Sequence, residues 1–177
     1  MLLPAFHLAW ELGVGVKEIA ESLENWQPPS GRGNFFFYRK GVVIDDSYNA
    51  NPLSSHKALR FLNSLSSWDF ETWGVWGDML ELGSATPRAH RQFLEELKKS
   101  SLSRVLLVGE EMKKGAEEVA KKEIEEGRFL LFSNSREVQE FLSCHLPRRE
   151  RRVILFKGSR KLELEKAIPP EWRENYG

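Results

Sequence analysis

Short apolar runs recur along most of the chain, and nearly every run is followed by a stretch in which apolar residues return at helical spacing. Runs of this kind are typical of strands that are buried on both faces of a sheet. The predicted strands are 35–38, 42–44, 72–76, 104–108, 128–132 and 152–156. The predicted helices are 52–65, one capped by Thr86, 110–123, one opened by Asn134, and a short last one through 162–167. This alternation predicts an α/β domain over about residues 34–168: a Rossmann-like, doubly wound, mostly parallel six-stranded sheet with helices on both faces.

Two short helices are predicted ahead of this domain, over 3–12 and 16–26. The second has its apolar residues at the i, i+3, i+4, i+7 spacing of one helical face. On the first, His7 lies on a largely apolar side and is interpreted as a packing residue. Because two helices of this length cannot form a core alone, we expect them to pack on the next domain or on something absent from this chain. Residues 27–31 have the composition of a linker.

Three polar strings each follow a predicted strand directly: DDSYNAN at 45–51, GDMLELG at 77–83 and KGSR at 157–160. The carboxyl ends of parallel strands lie along one edge of the sheet, so these strings should meet there. Asn51 is placed to cap the helix that Pro52 begins. Acidic, amide and basic groups that converge in this way describe a site for a zwitterionic or phosphorylated ligand. The alternative is a set of ordinary turns, since Asp, Ser and Asn are common turn residues.

Composition excludes several classes of protein. The 26 basic and 26 acidic residues cancel, which argues against binding to nucleic acid or to an anionic membrane surface. No apolar stretch approaches the roughly 20 residues of a membrane span, and residues 1–4 lack the basic region of a signal peptide. The single cysteine, Cys144, suits a reducing compartment and is interpreted as a buried thiol. We therefore expect a cytoplasmic protein.

The sequence gives little support for a metal site. Its four histidines are scattered, and Asp45 and Asp46 are adjacent on a strand, so that their side chains should point to opposite faces. His90 shares a helical face with apolar residues and is interpreted as a hydrogen-bonded core histidine rather than a base. The chain contains neither G-x-x-x-x-G-K-[ST] nor G-x-G-x-x-G, so it cannot cradle a triphosphate alone.

Four strings together resemble the Mur ligases, and within that family the branch that joins D-alanyl-D-alanine to UDP-MurNAc-tripeptide. They are Gly31-Arg32, DDSYNANP at 45–52, WGDMLELG at 76–83 and KGSRKLELE at 157–165. The resemblance covers nearly the whole chain. Two departures are Trp76, where the family has an aliphatic residue, and Phe93, where it tends to a small one.

This resemblance implies a division of the chain and a chemistry. Residues 1–29 would be the last helices of the family's central ATP-binding domain plus a linker, and residues 30–177 its C-terminal domain. The family phosphorylates a peptide carboxylate with ATP and Mg²⁺, and an amine then attacks the acyl phosphate. The phosphate-binding loop and the modified lysine belong to the central domain and would bind most of the ATP and Mg²⁺. The chain alone is therefore expected to be inactive.

The resemblance also implies residue roles. The nucleotide side would be formed by Arg32, Asp46, Asn49 and Asn51. The acceptor dipeptide would be oriented by Lys157, Ser159 and Arg160. No catalytic residue or metal ligand is expected in this chain. Two alternatives stay open: the C-terminal domain of another Mur or folylpolyglutamate-type ligase, and a non-catalytic Rossmann-like module, against which all three edge motifs count.

Overall fold

The computed structural model describes residues 2–24, 26, 28–38, 41–66, 68, 70–145 and 151–173. The helices are α1 Leu2–Glu11, α2 Val16–Glu24, α3 Pro52–Ser66, α4 Thr86–Lys99, α5 Glu110–Val119, α6 Lys121–Glu125 and α7 Ser135–Cys144. The strands are β1 Asn34–Tyr38, β2 Gly41–Asp45, β3 Glu71–Gly77, β4 Arg104–Val108, β5 Phe129–Phe132 and β6 Arg152–Lys157. Short 3₁₀ turns cover Gly83–Ala85, Arg160–Leu162, Leu164–Ala167 and Pro170–Trp172. Within these residues no helix is long and apolar enough to cross a bilayer.

The strands form one six-stranded sheet in the order β1-β2-β6-β3-β4-β5. Only the edge pair β1–β2 is antiparallel, and the other four pairings are parallel. The predicted mostly parallel sheet is therefore confirmed. Strand β6 is the last in sequence but lies between β2 and β3, so the loop that follows it lies between the loops that follow those two strands.

Both faces of the sheet are covered, as predicted. On one face, α3, α4 and α5 bury a core that includes Leu59, Trp76 and Phe93. On the other, α7 and the C-terminal turns cover Val75 and Phe156. Strands buried on both sides explain why the sequence shows continuous apolar runs in place of alternation.

The first two helices pack against each other and bury Ile19. Several of their other apolar side chains stay exposed, including Leu8 at 61% and Trp10 at 57%. His7 is exposed too, with Nε2 4.0 Å from a carboxylate oxygen of Glu11. His7 therefore does not pack on the described part of this chain, and its predicted packing role against something absent from the chain stays a prediction.

Other local predictions need correction. The predicted helix 110–123 is divided at Ala120, whose φ of −129° and ψ of 31° lie outside the helical region. The last predicted helix is a pair of 3₁₀ turns separated by Glu163 in a left-handed conformation with φ 46°. Thr86 is the first residue of α4 and not its cap, because its hydroxyl donates to Gly83 O instead of accepting from the helix. Cys144 is exposed at the end of α7 and not buried. Residue 27 of the predicted linker lies outside the described residues.

Candidate functional site

The three polar strings meet at one edge of the sheet, as the sequence predicts. Lys157, at the end of β6, places Nζ 2.7 Å from Oδ2 of Asp46 and 3.1 Å from the carbonyl oxygen of Asn49. On its other side, Ser159 donates its backbone N–H to Asp78 O at 3.1 Å, and its hydroxyl accepts from Leu80 N at 2.8 Å. The loop after β6 is thus bonded to the loops after β2 and β3. We call these three loops the rim.

The Asp46–Lys157 pair is buried on one side only. The Lys157 side chain is 3% exposed, whereas that of Asp46 is 36% exposed. The backbone of Asp46 is fixed because its N–H donates to Phe156 O at 2.9 Å, which continues the β2–β6 ladder. One carboxylate oxygen of Asp46 therefore faces the lysine, and the exposed part of the side chain is available to a ligand.

Arg32 is held at the rim by Tyr48, a residue whose role the sequence did not indicate. The Tyr48 N–H donates to Gly31 O at 2.9 Å, and Gly33 N donates to Asp45 O at 2.8 Å. The Arg32 guanidinium lies 3.9 Å from the centre of the Tyr48 ring. Gly31 has φ +73° and lies against Tyr48, where an added Cβ would be 2.9 Å from Tyr48 N. The Gly-Arg pair and the DDSYNANP string are therefore neighbours, and the guanidinium is stacked on an aromatic face.

The two predicted asparagines shape the loop after β2. Asn51 Oδ1 accepts from Ser54 N at 2.9 Å, which confirms the predicted cap of α3. Asn49 Oδ1 accepts from Ala50 N at 2.8 Å. Both side chains are exposed. Since their oxygens are used locally, their amide N–H₂ groups are the atoms that could reach a ligand.

Asp45 and Asp46 point to different sides, as predicted. Asp45 Oδ1 accepts from the backbone N–H of Ser47 at 3.1 Å and from its hydroxyl at 2.5 Å. Burial raises the pKa of Asp45, and these bonds to Ser47 oppose the rise. Asp45 is turned onto Ser47 and Asp46 is paired with Lys157, and no group of three or more possible metal ligands occurs in the described part of the chain.

Asp78 links β3 to α5. Its Oδ1 accepts from Met112 N at 2.7 Å and its Oδ2 from Glu111 N at 3.2 Å, so it caps α5 from another strand. Burial raises the pKa of Asp78, and the two N–H donors oppose the rise. Gly109 permits this approach, because a Cβ there would lie 2.4 Å from Asp78 Oδ2.

His90 is a hydrogen-bonded core histidine, as predicted. It is 1% exposed, its Nε2 accepts from Met79 N at 3.0 Å, and its Nδ1 is 2.8 Å from Thr86 O. A backbone N–H can donate only to an unprotonated ring nitrogen, and a carbonyl needs a donor, so the proton is on Nδ1. His90 therefore orients the GDMLELG loop and is not exposed to a substrate.

The predicted acceptor residues face different ways. Lys157 and Ser159 are buried, whereas Arg160 is exposed and pairs with Glu165 at 2.5 Å. This carboxylate raises the pKa of Arg160. The structure therefore brings Ser159 and Arg160 to the rim. The two cations have separate partners, since Lys157 pairs with Asp46 and Arg160 with Glu165.

An open groove of about 400 Å³ lies beside Asp46, between the β1–β2 edge and α3. Its walls include Phe35 and Phe61, which are 53% and 44% exposed, and Lys57. Aromatic faces, a cation and the Asp46 carboxylate suit a flat, polar-edged ligand. The sequence did not predict this groove, because it depends on where α3 crosses the sheet.

These features define a class: a doubly wound α/β domain whose rim gathers polar and charged side chains, in a chain whose sequence contains no phosphate-binding-loop motif. The sequence model of the family "Mur ligase, glutamate ligase domain" matches residues 31–160. The chain belongs to this family of Mur ligase domains.

Similar proteins share one name. The UDP-N-acetylmuramoyl-tripeptide--D-alanyl-D-alanine ligase of Rickettsia prowazekii is 29% identical over 89% of this chain and 33% of its own length. The ligase of the same name from Bacillus subtilis is 30% identical over 88% of this chain and 34% of its own length. The chain thus spans about a third of the relatives that it matches.

Solved structures agree in fold. MurF from Acinetobacter baumannii superposes with a TM-score of 0.74 and 29% identity, over 90% of this chain and 34% of that one. The MurF ligase of Thermotoga maritima, determined in complex with ADP, gives a TM-score of 0.68 at 22% identity, over 92% of this chain and 35% of that one.

Proposed function

We propose that the chain is the C-terminal domain of a MurF-type ligase, which uses ATP to add D-alanyl-D-alanine to UDP-MurNAc-tripeptide in the cytoplasm. The observation that supports this most is the bonded rim, in which the strings that resemble the nucleotide and acceptor motifs touch through Lys157 and Asp46. The relatives' shared name gives the substrates. In this proposal residues 1–29 belong to the central domain and residues 30–177 form the C-terminal domain.

The nucleotide side of the proposed site is formed by Arg32, Asp46, Asn49 and Asn51. The exposed part of the Asp46 carboxylate accepts from ribose hydroxyls, and the charge makes those bonds stronger than neutral ones. Arg32, held on Tyr48, pairs with phosphate or stacks on a base. The two asparagines offer amide donors beside them. These groups orient the nucleotide and exclude water when the domain closes.

The acceptor side is formed by the loop after β6. Arg160 is exposed, and it binds the dipeptide carboxylate when that carboxylate replaces Glu165 as its partner. The Ser159 hydroxyl accepts from Leu80 N, so its own proton can still be donated to the dipeptide. The acceptor role predicted for Lys157 stays a prediction, and it requires the ammonium to leave Asp46. ATP supplies the phosphoryl group that activates the carboxylate, and Mg²⁺ and the phosphates are held by parts of the ligase outside this chain.

Titration of the ¹⁵N-labelled chain tests the proposal. ADP should shift the amide signals of residues 31–33 and 45–51, and D-Ala-D-Ala those of 157–160. Arg32→Gln should weaken ADP binding about tenfold, the size of one charge-assisted contact. Arg136→Gln is the matched control, since Arg136 is an exposed arginine on α7 whose partner is Glu140 on the same helix.

The alternatives give different outcomes in the same titration. D-Glu or L-Glu binding as well as D-Ala-D-Ala would indicate another Mur or folylpolyglutamate-type ligase. A chain that binds neither nucleotide nor any of these acceptors would be a non-catalytic module. Incubation with ATP, UDP-MurNAc-tripeptide and D-Ala-D-Ala should release no phosphate above background, and release would contradict the expected inactivity of the chain alone.

A further inference from the structure

We infer that Lys157 is a positioning residue for the nucleotide side of the rim: its buried ammonium fixes the Asp46 carboxylate and the turn at Asn49, and this role replaces the acceptor role that the resemblance implies. This inference rests on the proposed function, because it concerns the same site. It gives the acceptor-side KGSR string a part in nucleotide recognition.

Burial of the Lys157 side chain carries the first step. A side chain that is 3% exposed cannot keep a charged ammonium unless protein groups replace its water. Two such groups are present, the Asp46 carboxylate at 2.7 Å and the Asn49 carbonyl at 3.1 Å. An acceptor carboxylate could reach the ammonium only by displacing one of them.

The geometry of Asp46 carries the second step. Its backbone is already fixed by the bond to Phe156 O, so the remaining freedom is rotation of the carboxylate. Lys157 restrains that rotation through Oδ2, and the carboxylate stays 36% exposed with its other oxygen free of protein partners among the described residues. A carboxylate held in this way meets a diol without first losing rotamer freedom.

The position of β6 carries the third step. Because β6 lies between β2 and β3, the Lys157 side chain crosses directly from its own strand to the loop after β2. It joins Asp46 and Asn49, two residues of the nucleotide side. No residue of the acceptor side accepts a bond from its ammonium among the described contacts.

Ribose selectivity of the full chain is the test, since a general loss of stability would weaken all nucleotides equally. The dissociation constants of ADP and 3′-deoxy-ADP are measured by NMR titration. We expect wild type to favour ADP about tenfold, the size of one charge-assisted hydrogen bond. Lys157→Met and Asp46→Asn should each reduce the preference to about twofold or less. Lys157→Met should leave the affinity for D-Ala-D-Ala unchanged, and Lys161→Met, an exposed lysine in the next turn, should change nothing.

Each other outcome has a stated meaning. If Lys157→Met keeps the tenfold preference for ADP, with or without a loss of D-Ala-D-Ala binding, the inference is overturned. If Asp46→Asn also keeps the preference, the nucleotide assignment of the proposed function fails instead. Positioning is then judged without ligand: the Lys157 ammonium signal must be protected from exchange in wild type and must move in Asp46→Asn. A signal unaffected by Asp46→Asn would refute the pairing. If either single variant does not fold, the double variant Lys157→Met with Asp46→Asn replaces it, since it buries no unpaired charge. It should show the same loss of preference for ADP.

Discussion

Asp78 follows β3 and stabilises the start of α5, which is distant from it in sequence. Its removal should lower the free energy of unfolding far more than the loss of an ordinary helix cap. Asp78→Ala leaves the buried N–H of Met112 and the half-buried N–H of Glu111 without an acceptor. Hydrogen bonds to a charged group contribute about 1.5–3 kcal/mol each, and an orphaned buried donor costs about 1–3 kcal/mol. Because burial already raises the pKa of Asp78, part of this gain is offset by desolvation of the charge. We expect Asp78→Ala to lower the free energy of unfolding by about 3–4 kcal/mol.

Two variants calibrate this value. Asp78→Asn keeps one acceptor oxygen at the same position and should cost about 1–2 kcal/mol. Asn134→Ala removes the cap of α7, where Asn134 Oδ1 accepts from Glu137 N at 3.1 Å in an exposed position. This change should lower the free energy of unfolding by about 1 kcal/mol. Water can satisfy the exposed N–H groups of α7 but not the buried N–H of Met112 at the start of α5.

Urea unfolding of the three variants and the wild type measures the differences, with equal m-values as the check that each transition stays two-state. The reasoning is refuted if Asp78→Ala costs no more than Asn134→Ala. An Asp78→Asn loss as large as that of Asp78→Ala would contradict the role given to the retained oxygen.

The other predictions concern pH and close packing. Since the folded pKa of Asp78 lies above its ordinary value of 3.8, the folded chain binds the extra proton between 3.8 and the raised pKa, and stability falls as pH rises through that window. The stability advantage of wild type over Asp78→Asn, followed by urea unfolding at several pH values, should therefore grow as pH falls through it, and a shrinking advantage would contradict the sign. Gly158→Ala places a methyl group 2.5 Å from a leucine carbon and should cost about 1–3 kcal/mol in urea unfolding, whereas Gly15→Ala, 3.5 Å from its nearest neighbour, should cost under about 1 kcal/mol. Trp76→Leu and Phe93→Ala should be non-additive by about 0.5–1.5 kcal/mol, measured in a double-mutant cycle of thermal or urea unfolding, because the two rings touch.

The strands were predictable because burial on both faces makes each one a continuous apolar run. The ends of the helices were less so. The break at Ala120 falls in a segment whose apolar spacing continues across it, and the 3₁₀ turns after β6 depend on Glu163 adopting φ 46°, which no local pattern signals. Cys144 shares the apolar face of α7 by spacing, yet it is the last residue of that helix and is exposed.

The rim was predictable as a meeting of three loops but not as a set of bonds. Strand C-termini share an edge in any parallel sheet, so the convergence needs no strand order. The pairing of Lys157 with Asp46 depends on the strand order, because it requires β6 to lie between β2 and β3. The stacking of Arg32 on Tyr48 depends on the left-handed turn at Gly31, which a single sequence does not reveal.

Trp76 and Phe93, the two residues at which the chain departs from the pattern of the family that it resembles, touch each other. Their ring centres are 5.0 Å apart at an interplanar angle of 70°, the edge-to-face geometry that aromatic pairs prefer. Both are larger than the residues expected there, so neither makes room for the other. Gly74 makes room for the indole, since a Cβ at that position would lie 2.2 Å from Trp76 Nε1. That indole N–H has no hydrogen-bond partner in the described chain, so packing, and not hydrogen bonding, accounts for the tryptophan.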